Sequence, residues 1–267
     1  MAKTASKSFW SKYQKRYQAT KSLLCVGLDP ELSKLPDCVK MAANPIWEFN
    51  RAIIESTSPY ACAFKPNLAF YLADGVRGLE ALYKTVELIP EDIPVILDCK
   101  VGDIGSTMSA YVTAFFADLK VDAITLNPLM GSDVLKPLLD REPSFAFALC
   151  LTSNPSAFEF LQSACMAKEI ADWMQDFSSE KLGAVVGATR SSELYGMRKL
   201  LPGRILLIPG IGAQGGNLDA VLREAKDSII TPNILINSSR GIIFASSGSD
   251  FAVAAGKEAK ALADRMM

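Results

Sequence analysis

Histidine is absent from the 267 residues of this chain. Its absence excludes Ser-His-Asp and Cys-His catalytic triads, so that only lysine, aspartate, glutamate, cysteine and tyrosine remain for proton transfer. It also removes the commonest ligand of transition metals. We therefore expect any catalytic site to be built from lysines and carboxylates, and we expect no metal centre.

Closely spaced cysteine pairs are also lacking, because none of the six cysteines forms a C-x-x-C motif. Most of them lie in apolar runs, where cysteine usually serves as a small core residue. A chain that relies on neither disulfides nor thiolate metal sites is typical of a reducing compartment. We therefore expect a cytoplasmic location.

Neither sign of charge dominates, since 28 lysines and arginines stand against 29 aspartates and glutamates. The composition therefore gives no indication of a nucleic-acid partner. No apolar run is long enough to span a bilayer, and residues 1–22 are basic but lack the apolar segment of a secretory signal. We expect no membrane partner.

Residues 1–21 are expected to form a short N-terminal helical extension. Phe9, Tyr13 and Tyr17 recur at intervals of four residues, which places their rings on one face of a helix. We expect this aromatic face to pack against the rest of the fold.

Eight short apolar runs follow one another along the chain, and helix-length amphipathic segments such as 45–56 and 167–177 separate most of them. Such alternation is typical of a parallel sheet, and eight units favour a closed barrel over an open doubly wound sheet. We therefore predict an α/β fold, a (β/α)8 TIM barrel, with residues 1–267 forming a single domain. The eight runs are 23–28, 60–64, 93–97, 123–126, 145–151, 184–186, 205–208 and 234–236.

Three charged residues follow the third apolar run. Because side chains alternate along a strand, Asp98 and Lys100 are expected to lie on the same face. Gly102 allows the chain to turn, and Asp103 stands where the N-cap of the next helix is expected. Two interpretations stay open at this point: a catalytic cluster, or an ion pair that closes the barrel end beside an ordinary helix cap.

Polar residues follow other runs as well. Asp29 comes after the first run, Lys65 after the second and Ser153 after the fifth. In barrels of this kind the catalytic residues lie at the carboxyl ends of the strands. We therefore expect these side chains to converge with Asp98 and Lys100 at one rim of the barrel.

The loops after the seventh and eighth runs favour a phosphate site. Residues 209–216 are rich in glycine, and Arg240 follows the eighth run. Glycine lets backbone N–H groups approach an anion closely, and barrels often hold phosphate in these two loops. One glycine-rich loop would indicate only a turn, but two such loops with an arginine favour phosphate. Residues 210–216 are also the candidate for a lid over the ligand.

The order of these segments resembles the orotidine 5'-monophosphate decarboxylase family. The resemblance runs from about residue 23 to residue 243 and is closest to the longer bacterial-type members. The positions that carry it are Asp29, Lys65, Asp98, Lys100, Asp103, Ile104, the segment 209–216 and Arg240.

The resemblance implies a homodimeric barrel that removes CO₂ from orotidine 5'-monophosphate to give UMP, the last step of de novo pyrimidine synthesis, with no metal or organic cofactor. Lys65, Asp98, Lys100 and Asp103 would form an alternating charge network, in which Asp103 reaches the neighbouring subunit's site. Lys100 would protonate C6 of the pyrimidine as CO₂ leaves. Fusion or association with orotate phosphoribosyltransferase, known in the wider family, stays open.

The resemblance also implies contacts to the nucleoside. Asp29 and Lys65 would bind ribose hydroxyls, as would Asp103 and Thr107 from across the dimer. Ser153 would hold the pyrimidine.

Contacts to the phosphate are implied for Gln214 and Arg240, together with backbone N–H groups of the two loops. The other residues implied at the substrate or phosphate are Ile104, Pro209, Gly210, Gly212, Gly215, Gly216, Ser239 and Gly241.

Two other functions stay open. One is an enzyme of the same superfamily that uses the Asp-x-Lys-x-x-Asp strand with Mg²⁺ on a sugar-phosphate keto acid. Against it, Ile104, Thr107 and Gln214 match the nucleotide enzyme, and Lys65 stands at the second strand end in place of a further carboxylate. The other is a nucleotide-binding barrel without activity, which would have no use for four costly charges beside a substrate carboxylate.

Overall fold

Eight parallel strands form a barrel in the computed structural model, which describes residues 8–161, 165–187, 191–210, 217–228 and 232–267. The strand order is β2-β1-β8-β7-β6-β5-β4-β3. Isolated bridges from Phe64 to Val95 and from Asn67 to Asp98 join the two outer strands of this order. The prediction of a (β/α)8 TIM barrel is confirmed. The strands are β1 Leu24–Leu28, β2 Ala63–Pro66, β3 Ile96–Val101, β4 Ala123–Leu126, β5 Ala146–Leu151, β6 Leu182–Val186, β7 Leu206–Ile208 and β8 Ile234–Ser238.

Helices follow the strands and pack on the outer surface of the barrel. A π-helical turn, Thr113–Asp118, continues α6, and three short 3₁₀ segments lie at Leu32–Lys34, Gly131–Val134 and Pro155–Glu159. Among the described residues, no helix is both long and apolar enough to cross a membrane. The helices are α1 Phe9–Thr20, α2 Asp37–Lys40, α3 Pro45–Thr57, α4 Leu68–Leu72, α5 Gly75–Leu88, α6 Gly105–Val112, α7 Lys136–Leu139, α8 Met166–Met174, α9 Ser191–Leu200, α10 Leu218–Glu224, α11 Arg240–Ile243 and α12 Phe251–Asp264.

Three strands extend further toward their carboxyl ends than the apolar runs predict. Strand β2 includes Lys65, β3 includes Asp98 and Lys100, and β8 includes Asn237. These strands end at the mouth of the barrel, where inward positions carry polar groups instead of core residues. The apolar pattern therefore stops before the strand does, and the runs that end at 64, 97 and 236 mark the end of the core instead of the end of the strand.

Two layers of apolar side chains follow from the alternation of each strand. The outward residues pack with the helices, and the inward residues form a second cluster that fills the barrel. This inner cluster comprises Phe9, Tyr13, Cys25, Cys62, Ala63, Ile96, Ala123, Phe145, Phe147, Val185, Ile205, Leu207 and Leu235. The barrel interior is therefore a packed core below the polar mouth.

Helix α1 closes the opposite, amino-terminal end of the barrel. Phe9 is 1% and Tyr13 2% exposed, and the Phe9 ring lies 4.6 Å from that of Phe145. The Tyr13 hydroxyl donates to the carbonyl of Ile234 and accepts from its N–H, both at 3.2 Å. The predicted N-terminal helix is confirmed over Phe9–Thr20, and residues 1–7 lie outside the described ranges.

Replacing Tyr13 by phenylalanine tests how far this end depends on the hydroxyl. The ring stays, but both hydrogen bonds to Ile234 are lost in a buried setting. We expect the free energy of unfolding, measured by urea denaturation, to fall by about 2 kcal/mol. The control Tyr195→Phe changes a side chain that is 47% exposed and should stay within about 0.5 kcal/mol of wild type. Equal stabilities of the two variants would contradict this account of α1.

Candidate active site

A carboxylate between two ammonium groups lies at the carboxyl ends of β2 and β3. Lys65 Nζ lies 2.6 Å from Asp98 Oδ2, and Lys100 Nζ lies 2.5 Å from Asp98 Oδ1. The Lys65 and Asp98 side chains are 5% and 11% exposed, whereas that of Lys100 is 50% exposed. The cluster therefore has a buried ammonium below the carboxylate and an accessible one toward the barrel mouth.

A bulge in β3 brings Lys100 to this position. Leu97 pairs with Ile124 and Val101 pairs with Leu126, so residues 98–100 together face a single residue of β4. Lys100 itself has φ +48°, in the left-handed region that non-glycine residues rarely adopt. Asp98 and Lys100 do meet, but the regular alternation from which we predicted it is wrong. A strained backbone brings the two side chains together instead.

Mutual charge keeps the buried pair ionised. Burial by itself would raise the pKa of Asp98, but the ammonium groups of Lys65 and Lys100 hold it well below its usual range. Burial would lower the pKa of Lys65, yet the negative charges of Asp98 and Asp29 raise it above its ordinary value. Each charge thus compensates the desolvation of the other.

Thr125, the residue of β4 opposite the bulge, also contacts the cluster. Its hydroxyl donates to Asp98 Oδ1 at 2.9 Å, and Thr125 is buried. The sequence pattern did not indicate this residue as part of the site, because β4 has the pattern of a plain apolar strand. The available signal was a polar residue two positions after Ala123, on the inward face of a barrel strand.

Buried polar atoms gather where β1 and β8 end. Asp29 Oδ1, Asn237 Oδ1 and Ser239 Oγ are buried and have no hydrogen-bond partner in the described part of the chain. A Cβ on Gly27 would lie 2.6 Å from Ser239 Cβ, so a glycine is required where β1 approaches this loop. Unsatisfied buried polar groups need an explanation, and a hydroxyl-rich ligand would supply one. Asn237 was not among the selected residues, although it lies in the segment that ends the eighth run.

The segment 103–107 follows β3 and leads into α6. The Asp103 carboxylate accepts from the N–H of Ile104 at 2.8 Å, and no ion pair joins it to another described residue. The expected N-cap at Asp103 is wrong, since α6 begins at Gly105 and Ile104 occupies the cap position without a side-chain bond. Ile104 is 49% exposed, and Thr107 is exposed as well.

The residues expected to hold pyrimidine and phosphate are partly described. Ser153 and Pro209 are half-buried beyond β5 and β7. Gly210 has φ +96°, a conformation that favours glycine. Arg240 and Gly241 are exposed at the start of α11. Gly212, Gln214, Gly215, Gly216 and the candidate lid beyond Gly210 lie outside the described residues.

A sequence model described as the orotidine 5'-phosphate decarboxylase / HUMPS family matches residues 22–254 of this chain. The match therefore covers every strand of the barrel and all the candidate site residues, but not α1.

Individual relatives agree with the family match. The chain is 43% identical over 262 residues to orotidine 5'-phosphate decarboxylase of Leptospira interrogans, covering 95% of this chain and 94% of that protein. The solved structure of Leishmania donovani OMP decarboxylase is similar at a TM-score of 0.77 and 34% identity, covering 97% of each chain. Leishmania donovani UMP synthase is similar at a TM-score of 0.78 and 35% identity; the likeness covers 96% of this chain but only 56% of that longer one.

The lowered pKa of Asp98 predicts a stability difference that depends on pH. A carboxylate whose folded pKa is depressed stabilises the fold above its unfolded pKa, and this contribution is lost as the pH falls through the folded pKa. Asp98→Asn, which leaves Lys65 buried without its partner, should lower the free energy of unfolding by about 3 kcal/mol near about pH 7. The difference in the free energy of unfolding between wild type and Asp98→Asn should become smaller below about pH 4. Urea denaturation near about pH 7 and below about pH 4 measures this difference.

The matched control is Asp37→Asn, which removes an exposed carboxylate paired with Lys40 on α2. At neutral pH Asp37→Asn should lower the free energy of unfolding much less than Asp98→Asn does, because surface ion pairs contribute little to stability. A gap between Asp98→Asn and wild type that stayed constant down to about pH 3 would contradict the assigned charge state.

Proposed function

This chain belongs to the orotidine 5'-phosphate decarboxylase / HUMPS family, and we propose that it removes CO₂ from orotidine 5'-monophosphate to give UMP without a metal or organic cofactor. The observation that carries the proposal is the ion cluster of Lys65, Asp98 and Lys100, at the positions where the family motif requires its charged groups. The curated relative at 43% identity bears the same activity in its name.

The chemistry asks for stabilisation of negative charge at one carbon. The bond between C6 and the substrate carboxylate breaks, CO₂ leaves, and the electron pair stays on C6. A proton from Lys100 Nζ then forms the new C6–H bond, and solvent returns a proton to the lysine. A preorganised ammonium suits this step, because it stabilises the developing charge without reorganisation. Lys100 is the member of the cluster with the accessible side chain.

The other members of the cluster have supporting roles in this proposal. Asp98 holds the Lys100 ammonium in place and lies beside the departing carboxylate, while Lys65 keeps Asp98 ionised. Asp29 and Lys65 bind the ribose hydroxyls, which agrees with the buried Oδ1 of Asp29, an atom that has no hydrogen-bond partner within the described ranges. Ser153 holds the pyrimidine.

The phosphate group binds between the loops after β7 and β8 in this proposal. Arg240 is exposed, and Gly210, with φ +96°, provides the turn at which the first loop leaves β7. The further phosphate contacts assigned by resemblance are Pro209, Gly212, Gln214, Gly215, Gly216, Ser239 and Gly241.

A homodimer completes the site in our proposal, with Asp103 and Thr107 contributed to the neighbouring subunit, while Ile104 is assigned to the substrate by the resemblance. Two observations support it. Asp103 has no cationic partner among the described residues, and the next residue, Ile104, is 49% exposed. Leu129 and Met130, 68% and 56% exposed, directly precede the 3₁₀ segment Gly131–Val134, which contacts α6. Apolar patches of this kind mark interaction surfaces.

Two alternative functions, the cellular location and an association with a second enzyme complete the proposal. A Mg²⁺-dependent sugar-phosphate enzyme and a binding protein without activity remain the competitors that the experiment below must separate. A cytoplasmic location, and fusion or association with orotate phosphoribosyltransferase, are further proposals; the likeness to a longer UMP synthase chain supports the latter.

The first test is turnover of orotidine 5'-monophosphate, followed by its absorbance, in excess EDTA. Wild type should be active, and Lys100→Ala should lower kcat by at least about 100-fold, because the proton donor is gone. The control Lys168→Ala removes an exposed lysine on α8 that pairs with Asp172. It should stay within about twofold of wild type.

The alternatives give different results in this assay. Turnover only after Mg²⁺ is added would favour the sugar-phosphate enzymes. Tight UMP binding by a folded wild type without turnover would favour the binding protein. Full activity of Lys100→Ala would exclude this lysine as the acid.

Mixing subunits tests the shared site. Lys100→Ala and Asp103→Asn homodimers should each be nearly inactive, since each lacks one required group in both sites. In a mixed dimer one site receives Lys100 from one chain and Asp103 from the other, and is therefore complete. Refolding equal amounts together should restore about a quarter of wild-type activity.

The control is the same experiment with Lys100→Ala and Asp98→Asn, two residues of one subunit's cluster, which should give no recovery on mixing. Mixed dimers that form but remain inactive would mean that Asp103 serves its own subunit. A wild type that sediments as a monomer while active would contradict the dimer itself.

A further inference from the structure

The hydroxyl of Thr125 makes three hydrogen bonds at the bulge of β3. It donates to Asp98 Oδ1 at 2.9 Å and accepts from the backbone N–H of Cys99 at 3.0 Å and of Lys100 at 2.9 Å. A hydroxyl group offers one donor and two acceptor positions. The three bonds therefore use its full capacity on three consecutive residues of β3.

The bulge needs such a partner. Residues 98–100 face Thr125 alone. The regular hydrogen-bond pattern between β3 and β4 therefore does not provide a carbonyl acceptor for both the Cys99 and the Lys100 N–H groups. Unpaired backbone N–H groups at this depth are costly. The Thr125 hydroxyl supplies the missing acceptor for both, and it thereby stabilises the left-handed conformation of Lys100.

The same hydroxyl fixes the carboxylate to which Lys100 is bound. Asp98 Oδ1 accepts from Lys100 Nζ at 2.5 Å as well as from Thr125, while Oδ2 accepts from Lys65 at 2.6 Å. With donors on both oxygens from three strands, the carboxylate has one orientation. Without Thr125, Asp98 keeps only the two flexible lysine partners, and its plane can rotate with them.

We propose that Thr125 is a positioning residue of the decarboxylation site, whose hydroxyl holds both the Asp98 carboxylate and the Lys100 backbone so that the Lys100 ammonium points at the reacting carbon. This inference rests on the proposed function. Thr125 acts on the chemical step through Asp98 and Lys100, whereas ribose and phosphate are bound by residues of other strands. Loss of its hydroxyl should therefore lower kcat far more than it weakens substrate binding.

The test compares Thr125→Val, which keeps the shape and removes the hydroxyl, with Thr125→Ser, which keeps the hydroxyl. We expect kcat of Thr125→Val to fall by about 10- to 100-fold, with KM and the Kd for UMP within about threefold of wild type. Thr125→Ser should retain kcat within about threefold. The matched control Thr57→Val removes another fully buried threonine hydroxyl, in α3 and outside the site, and should leave kcat unchanged.

Each result decides the matter. Wild-type kcat in a folded Thr125→Val, or an equal loss of kcat in Thr125→Ser, would overturn the inference. So would a KM or a UMP Kd that rises in parallel with the loss of kcat, because the hydroxyl would then serve ligand binding. If Thr125→Val and Thr125→Ala do not fold while Thr125→Ser does, the hydroxyl serves the fold and the inference is wrong. An inactive wild type would instead refute the proposed function.

Discussion

The structure of the site depends on one buried carboxylate, Asp98, held between two ammonium groups. Removing a charge from water costs several kcal/mol, and only partners at close range offset that cost. Lys65 on β2 and Lys100 on β3 provide them. Strands β2 and β3 are also the two ends of the strand order, joined otherwise by isolated bridges. The ion cluster therefore lies where the barrel closes. The Lys65–Asp98 ion pair both joins β2 to β3 and belongs to the candidate active site.

The barrel beneath the cluster changes from apolar to polar along its axis. Its interior is filled by the inner cluster and closed below by Phe9 and Tyr13 of α1, while Lys65 and Asp98 form the first polar layer above. The residues below this layer are buried, whereas the Lys100 side chain above it is half exposed. Charges at such a boundary interact strongly with each other and still reach a ligand. A packed barrel thus supports a preorganised group of charges at its rim.

Much of the fold could be predicted from the sequence because its physical origin is local. Eight apolar runs separated by amphipathic segments predicted the barrel and the face on which its polar groups meet. The apolar runs stop before the carboxyl ends of β2, β3 and β8 for a related reason. Polarity marks where the core ends, and Lys65, Asp98 and Asn237 are polar residues that still belong to strands. Apolar patterning detects burial in a core and cannot detect a strand that continues into a ligand site.

The sequence by itself determined the barrel and which charges stand at its rim, since strand periodicity and residue type are properties of short segments. Only the tertiary structure decided how those charges meet. The bulge at Lys100 arises because three residues of β3 face Thr125 of β4, a pairing between segments more than 20 residues apart that no local pattern encodes. Asp103 likewise makes no ion pair with a described residue, and its carboxylate accepts from the N–H of Ile104 instead. Contacts between distant segments depend on strand register, and register is fixed by the packing of the whole barrel.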